Sequence, residues 1–233
     1  MKILALSDIH NAFEAFAPET LPDADLCIIA GDLTDFGQRE HGRFARPELE
    51  RLPATLGPNA KGMLSREALR AKAWLERLTQ RFPVFWIPGN HDIDIKPDTF
   101  GAIPGCTCLL NSIQSFSGRS LYGVSMSPCF DAPYLASMWD YMTADPIVEE
   151  AAFDFPPVDI VVSHCPPYEC LDGGMPALDG ARPRLGSPAL RRYIELNAPS
   201  LVLCGHIHEA RGMAYIGETL VANVACSARL LEI

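Results

Sequence analysis

Short apolar runs recur along the chain, and most are followed directly by a glycine, a proline or an aspartate. Runs of this length are typical of strands that are buried on both faces of a sheet. We therefore predict strands at residues 2–7, 26–30, 84–87, 158–163, 201–204, 213–216, 220–224 and 228–231.

Two segments predict helices. Residues 65–81 carry apolar side chains three and four positions apart, with Ser65 as a predicted N-cap. The second helix has Ser187 as N-cap and Pro188 in the first helical position, where the missing N–H of proline costs nothing, and continues to residue 197. Strand, helix and strand in this order are typical of a βαβ unit, so we expect the α/β class and a largely parallel sheet.

The rest of the chain predicts smaller features. We expect a hairpin over residues 107–125, with its turn near Gly118, and a short helix over residues 145–153. The length suits one large domain or two small ones. Since no internal repeat or obvious linker divides the chain, we expect a single domain over residues 1–233. Residues 36–64 are rich in Gly and Pro and are expected to form an irregular insertion. This insertion could be a lid over a site or a solvated surface loop.

Polar side chains that can bind metals stand directly after five of the predicted strands. The stretches are Asp8-Ile9-His10, Gly31-Asp32-Leu33-Thr34-Asp35, Gly89-Asn90-His91-Asp92, Ser163-His164 and Gly205-His206-Ile207-His208. Any one of them could be a turn or a satisfied core residue, but five of the six histidines fall in these breaks. Because strand ends at one edge of a sheet form the ligand sites of open α/β folds, we expect these side chains to gather around Asp32.

These side chains offer imidazole, carboxylate and amide ligands. The candidate metal ligands are Asp8, His10, Asp32, Asn90, His164, His206 and His208. The mixture suits borderline divalent ions such as Mn, Fe, Zn, Co or Ni rather than Ca, and we expect Mn to serve best in vitro. Two ions about 3.5–4 Å apart share a bridging carboxylate and can clamp both oxygens of an in-line phosphoryl displacement. They also lower the pKa of a bridging water, which makes hydroxide available near neutral pH.

In their order along the chain, the five motifs resemble those of the calcineurin-like metallophosphoesterases, over residues 2 to about 225, although residues 36–64 are longer than the spacer expected in the small members. The resemblance implies a four-layer α/β/β/α sandwich of two mixed sheets flanked by helices. It implies one metal ion held by Asp8, His10, Asp32 and His208, and a second held by Asp32, Asn90, His164 and His206, with Asp32 bridging. It also implies that His91 lies beside the substrate phosphoryl group as general acid or charge stabiliser, oriented by Asp92.

The resemblance thus implies a dinuclear-metal-dependent phosphoesterase that hydrolyses small phosphodiesters or phosphomonoesters by attack of a metal-bound hydroxide. Phe36 and Asp92 stand where protein Ser/Thr phosphatases of this superfamily have Arg and Glu. The stretches His164-Cys165-Pro166-Pro167 and Gly205-His206-Ile207-His208-Glu209 look more like those of the small single-domain bacterial and archaeal members. Two alternatives remain open: a nuclease of the same superfamily, and a metal-poor scaffold that uses the same fold to bind proteins.

The net charge and the start of the chain limit the kinds of partner and the cellular compartment that we expect. The formal net charge of −10, with no run of Lys or Arg, argues against a nucleic-acid partner, since proteins that bind the phosphate backbone normally carry the opposite charge. The apolar start ends at Asp8, too early for a signal peptide or a membrane span. We therefore expect a cytoplasmic protein with reduced thiols, a small phosphate-ester substrate and no membrane partner. The sequence does not set the oligomeric state.

Several other residues have roles that the sequence leaves open. Asp35 could contact the site, but is more typical of a turn or a cap. The residues that either line a substrate pocket or lie on the surface are Tyr168, Asp172 and Arg182. The residues expected to flank the site without entering it are Glu209 and Arg211. The tryptophans expected in the core are Trp74, Trp86 and Trp139.

Overall fold

The structure, a computed structural model, describes residues 1–35, 58–93, 95–137, 139–178 and 180–233, with side chains described from residue 66 onward in the first helix. The predicted insertion, which could be a lid or a surface loop, consists mainly of residues 36–57, and these lie outside the described residues. No helix in the described part of the chain is both long enough and apolar enough to cross a membrane.

The described residues form thirteen strands and three α-helices. The strands are β1 (Lys2–Ser7), β2 (Leu26–Ala30), β3 (Val84–Ile87), β4 (Cys106–Cys108), β5 (Ile113–Phe116), β6 (Arg119–Val124), β7 (Ser127–Pro128), β8 (Met142–Thr143), β9 (Ile160–Ser163), β10 (Leu201–Cys204), β11 (Gly212–Ile216), β12 (Thr219–Asn223) and β13 (Ser227–Glu232). The helices are α1 (Pro58–Leu78), α2 (Pro146–Ala151) and α3 (Pro188–Asn197). Single 3-10 turns lie at Pro18–Thr20, Pro133–Ser137 and His208–Ala210.

The strands form two large mixed sheets. The first sheet has the order β13-β1-β2-β3-β4 and the second has the order β11-β12-β10-β9-β6-β5. In the first, β1 to β4 are parallel and β13 is antiparallel to β1. In the second, β6, β9, β10 and β12 are parallel, while β5 and β11 run antiparallel at the two edges. A short parallel ribbon of β7 and β8 stands apart from both.

The two sheets pack face to face, and a helix covers each outer face. Side chains of both sheets fill the space between them: Ile3, Ile28, Ile87, Ile160, Val162 and Leu203. Trp74, Leu75 and Leu78 of α1 pack on the outer face of the first sheet. Leu190 and Ile194 of α3 pack on the outer face of the second. This is the four-layer sandwich that the family resemblance implied, and burial on both faces explains why the central strands are apolar throughout.

Local signals placed the second helix correctly and the first helix too late. The side chain of Ser187 accepts a hydrogen bond from Leu190 N at 2.9 Å, and Pro188 occupies the first helical position, as predicted. Helix α1 begins at Pro58 rather than at Ser65, so residues 58–64 are helical instead of irregular. Proline is well suited to a first helical turn, and an internal glycine costs a helix only ~1 kcal/mol.

Candidate metal centre

Loops from both sheets meet at one edge of the sandwich. Strands β1, β2 and β3 are parallel, and each is followed by one of the predicted motifs. Strands β9 and β10 of the second sheet are parallel in the same way and precede the two remaining motifs. A hydrogen bond of 2.8 Å between the His164 ring and Ala30 O ties the two edges together. The strand directions therefore bring all five motifs to one place.

The loops that carry the site turn sharply. Four of the candidate ligand residues have left-handed backbone, with φ of 55° at Asp8, 46° at His10, 53° at Asp32 and 67° at His206. Each such residue costs ~1–3 kcal/mol and persists only where its surroundings hold it in place. Here the bond from Asp8 N to Gly31 O (3.0 Å) and that from His10 N to Asp32 O (3.0 Å) hold the first two loops against each other. The turns direct the side chains inward.

One half of the centre consists of Asp8, His10 and His208. The Nε2 atom of His208 lies 3.1 Å from Asp8 Oδ1, and the Nε2 atom of His10 lies 3.8 Å from the same oxygen. The two imidazole Nε2 atoms are 3.4 Å apart. Three nitrogen and oxygen donors thus face one point from two different sheets.

The other half consists of Asn90, His164 and His206. The amide oxygen of Asn90 lies 2.9 Å from His164 Nε2 and 2.9 Å from His206 Nδ1. All three side chains belong to different loops, and His164 is fully buried. The donor atoms of this second group therefore lie as close together as those of the first.

Asp32 stands between the two halves. Its Oδ2 atom lies 3.7 Å from His10 Nε2 of the first half and 3.4 Å from His164 Nε2 of the second. Its Oδ1 atom accepts a hydrogen bond of 2.8 Å from His91 N. The structure thus brings together all seven residues that the sequence picked as candidate ligands, with one carboxylate shared between their two groups.

Charge is closely balanced in this centre. The pKa of His10 is raised to about 9 and that of His164 to about 9, since nearby carboxylates outweigh the opposing effect of burial. A hydrogen bond to Asp8 raises the pKa of His208 to about 10. Burial and the neighbouring His164 instead lower the pKa of His206 to about 3. The imidazoles also lower the pKa values of Asp8 and Asp32, against the effect of burial.

The donor set fits divalent metal ions. Two buried carboxylates, Asp8 and Asp32, face imidazole nitrogens at 3.1–3.8 Å, and most of these distances are too long for a hydrogen bond. In the described part of the chain, the buried atoms left without a hydrogen-bond partner include His10 Nδ1 and Asp35 Oδ2. Three groups of donors within 4.8 Å of one another overlap at this place: Asp8, His10 and His208; His10, Asp35 and His91; and Asp8, Asp32 and His164.

Asp92 was expected to orient His91, but in the structure it holds two loops together. Its buried carboxylate accepts hydrogen bonds from Gly89 N (2.8 Å), Leu33 N (3.1 Å), and both Thr34 N (2.7 Å) and Thr34 Oγ1 (2.9 Å). Asp92 thus fastens the loop after β3 to the loop after β2. Burial and the nearby Asp32 charge still raise its pKa to about 6.

The ring of His91 is oriented by Asp35 instead. Asp35 Oδ1 lies 3.1 Å from His91 Nδ1. The ring also packs against Trp139 in a tilted arrangement, with centroids 4.3 Å apart and planes inclined by 32°. The sequence favours a turn or a cap for Asp35 and the core for Trp139; both lie beside the site, because residues distant in sequence approach His91 only in the folded chain. Trp139 is nevertheless buried, with 7% of its surface exposed.

A cleft of about 600 Å³ opens over the centre. The residues that line it include Asp32, Asn90, His206, His208 and Tyr168. Glu209, expected only to flank the site, also borders the cleft.

Two other candidate pocket residues, Asp172 and Arg182, behave differently. Asp172 is fully buried and binds Arg184, which lines the cleft and which the sequence did not single out. Arg182 hydrogen-bonds Gly174 O and does not border the cleft.

Comparison with known proteins agrees with this arrangement. A family model described as calcineurin-like phosphoesterase matches residues 1–210. The UPF0046 protein K07C11.7 of Caenorhabditis elegans is 21% identical, over 97% of this chain and 69% of its own length. The uncharacterized protein MJ1162 of Methanocaldococcus jannaschii is 25% identical, over 96% of this chain and 87% of its own length.

Solved structures share the fold. That of TT1561 from Thermus thermophilus has a TM-score of 0.59 at 18% identity, and covers 96% of this chain and 88% of its own. Another solved structure has a TM-score of 0.66 at 14% identity, with 96% of this chain and 90% of its own covered. The chain belongs to the calcineurin-like phosphoesterase family, as its motifs indicated. Membership supports metal-dependent hydrolysis of phosphate esters.

Proposed function

We propose that the protein is a dinuclear-metal phosphoesterase that hydrolyses small phosphodiesters or phosphomonoesters. The observation that carries the proposal is the position of Asp32 between two sets of donors, 3.7 Å from His10 Nε2 and 3.4 Å from His164 Nε2. One ion would be held by Asp8, His10, Asp32 and His208. The other would be held by Asp32, Asn90, His164 and His206.

Two bound ions would supply a water of lowered pKa and positive charge against the phosphoryl oxygens. The positive charge of the ions would attract an anionic ester, which a chain of net charge −10 would otherwise repel. The left-handed backbone at Asp8, His10, Asp32 and His206 and the backbone hydrogen bonds between the loops would hold these four ligands in place before any ion binds. This preorganisation is the main contribution of the fold.

His91 is proposed to act on the leaving group. Its Nδ1 atom is held by Asp35, so Nε2 is the ring nitrogen available to the cleft. A protonated ring would donate its Nε2 proton to the leaving oxygen as the ester bond breaks and would become neutral. Asp35 would stabilise the protonated ring before this transfer and fix the ring orientation. Asp92 is proposed as a positioning residue, because its carboxylate holds the loops of Asp32 and His91 and does not face the cleft.

The proposal is tested with purified protein reconstituted with Mn²⁺ and assayed on bis-p-nitrophenyl phosphate and p-nitrophenyl phosphate. We expect two metal equivalents per chain and metal-dependent turnover. The variants Asp32→Asn, His91→Ala and His206→Ala should each lower turnover by at least ~10²-fold, the size of effect seen when a catalytic acid is lost. Asp154→Asn, at an exposed position, is the matched control and should keep both metal and activity.

Three results would count against the proposal. Wild-type turnover in all three site variants would remove it. Less than one metal equivalent after reloading, together with no turnover, would favour the protein-binding scaffold. A salt-sensitive nuclease activity greater than that on the small esters would favour the nuclease.

A further inference from the structure

A buried aspartate holds an arginine at the wall of the cleft. Asp172 is fully buried, and its carboxylate accepts hydrogen bonds from Arg184 Nη1 at 2.7 Å, Glu169 N at 2.9 Å and Gly186 N at 3.3 Å. Its own carbonyl oxygen accepts one from Leu185 N at 3.0 Å. An ion pair between two exposed side chains would hold neither of them firmly. Here one partner is anchored by backbone donors, so the direction of Arg184 is set by the fold.

Arg184 brings positive charge to an acidic cleft. Of the described residues that line the cleft, it is the only lysine or arginine, whereas Asp131 and Glu209 are acidic. Its side chain remains 53% exposed although it is paired. The bond to Asp172 engages one of the five N–H groups of the guanidinium, which leaves others for a ligand. A planar guanidinium is the side chain best matched to a carboxylate or a phosphate.

The wall beside Arg184 is apolar. Leu185 is its neighbour in the chain, and Tyr168 joins the same segment through a bond from Tyr168 N to Ser187 O at 3.0 Å. Tyr168, Leu185 and Phe130 line the cleft with 37%, 39% and 37% of their surfaces exposed. Exposed aromatic and aliphatic side chains in a cleft are typical of a surface that takes a flat apolar group.

We propose that Arg184, positioned by Asp172, forms a subsite for an anionic substituent carried on a flat apolar group of the substrate. The substrate class is then a phosphoester whose organic part carries a second negative charge. This inference rests on the proposed function, since it assigns the metal centre to the phosphoryl group and the arginine to the rest of the molecule.

The test measures binding rather than turnover, so that it stands apart from the assay of the proposed function. The probes are benzyl(methyl)phosphinate and 4-carboxybenzyl(methyl)phosphinate, in which a CH₂ group replaces the ester oxygen so that they bind without being hydrolysed, titrated calorimetrically at pH 7.5 into the Mn²⁺-loaded protein. The wild type should bind the carboxylated probe at least ~10-fold more tightly, as expected for one charge-assisted hydrogen bond. In Arg184→Gln this preference should fall to about twofold or less. Asp172→Asn should lose part of it, and Arg184→Lys should keep part of it.

Arg182→Gln is the matched control, because Arg182 is on the same loop and does not border the cleft. It should keep the wild-type preference. The subsite is refuted if the wild type shows no preference or binds neither probe, if Arg184→Gln keeps the preference, or if Arg182→Gln loses it equally. Hydrolysis of p-nitrophenyl esters without any such preference would leave the proposed function standing and remove this inference alone.

Discussion

The carboxylate of Asp35 lies between the ring of His91 and that of His10 in the candidate metal centre. Its Oδ1 atom lies 3.1 Å from His91 Nδ1, and its Oδ2 atom lies 3.4 Å from His10 Nδ1. Burial alone would raise the pKa of Asp35, but the two imidazoles beside it lower this pKa, so the carboxylate stays charged. One side chain thereby sets the orientation of a candidate ligand and of the candidate general acid.

Replacing Asp35 by Asn should therefore reduce catalysis more than metal binding. An amide removes the charge that holds two imidazoles, and loss of such an outer partner typically costs ~10–100-fold in activity. We expect kcat to fall by about that factor and the pH profile of kcat to shift, while most of the bound metal is retained. Steady-state kinetics over pH and metal analysis check this, with Asp32→Asn as the variant that should lose metal. An unchanged pH profile would contradict the role given to Asp35.

Replacing Asp92 by Asn should destabilise the metal-free protein. The carboxylate accepts bonds from three backbone N–H groups and one hydroxyl, and an amide would turn a donor toward some of them. A buried donor left unpaired costs ~1–3 kcal/mol. Urea unfolding should show a loss of this size for Asp92→Asn and a smaller loss, ~1 kcal/mol, for Thr34→Val, which removes only the hydroxyl donor. Equal stability of Asp92→Asn and wild type would show that the loops do not depend on this contact.

Metal binding should release protons and strengthen as the pH rises. The pKa values of His10 and His164 near 9 and of His208 near 10 mean that the metal-free centre carries protons at neutral pH. Those protons must leave when the imidazoles bind a metal. Each proton released should raise the apparent affinity by about tenfold per pH unit below these pKa values. Calorimetry in PIPES and Tris, whose ionisation enthalpies differ, counts the protons; identical heats in both buffers would count against this balance.

Gly205 should tolerate no side chain. A Cβ at this position would overlap Ser7 Oγ and Asp8 Oδ2, so Gly205→Ala must displace a candidate ligand or the loop that carries it. We expect metal affinity to fall by ~10-fold or more, as for other changes that misplace a ligand. Gly212→Ala is the control, since the nearest atom to its new Cβ, Leu171 Cδ2, is at an ordinary 3.5 Å. Equal metal affinity in the two variants would show that Asp8 can move freely.

The stability difference between wild type and Glu149→Gln should depend on pH. Glu149 is buried, with 1% of its surface exposed, and burial raises its pKa although Ser187 Oγ and Ala189 N donate hydrogen bonds to it. A carboxyl group with a raised folded-state pKa stabilises fully below its unfolded-state pKa, and this contribution is lost as the pH rises through the folded-state value. Glutamine can accept both bonds without a charge. Chemical unfolding should therefore show the variant gaining stability relative to wild type from pH 5 to pH 7.5; a constant difference would contradict the prediction.

Much of the fold could be predicted because its signals are local. Strands β1, β2, β3 and β10 have the predicted boundaries, since apolar runs end sharply at polar or turn-forming residues. Helix α3 begins at its serine cap for the same kind of reason. The start of α1 could not be read so easily, because the residues before Ser65 lack the apolar spacing and contain a glycine, and neither feature prevents a helix.

For the site, the sequence by itself determined which residues could bind metal, because ligand chemistry resides in side-chain type and each candidate follows a strand. It also determined that they would meet, since parallel strands end at one edge of a sheet. Only the tertiary structure decided which neighbour orients which ligand: Asp35 rather than Asp92 holds His91, and Arg184 rather than Arg182 lines the cleft. Which residue makes such a contact depends on the direction of the backbone at each turn and on how distant loops pack. Both can differ between neighbouring residues even when their side chains have the same chemistry. The sequence shows which residues are present but not where their side chains point.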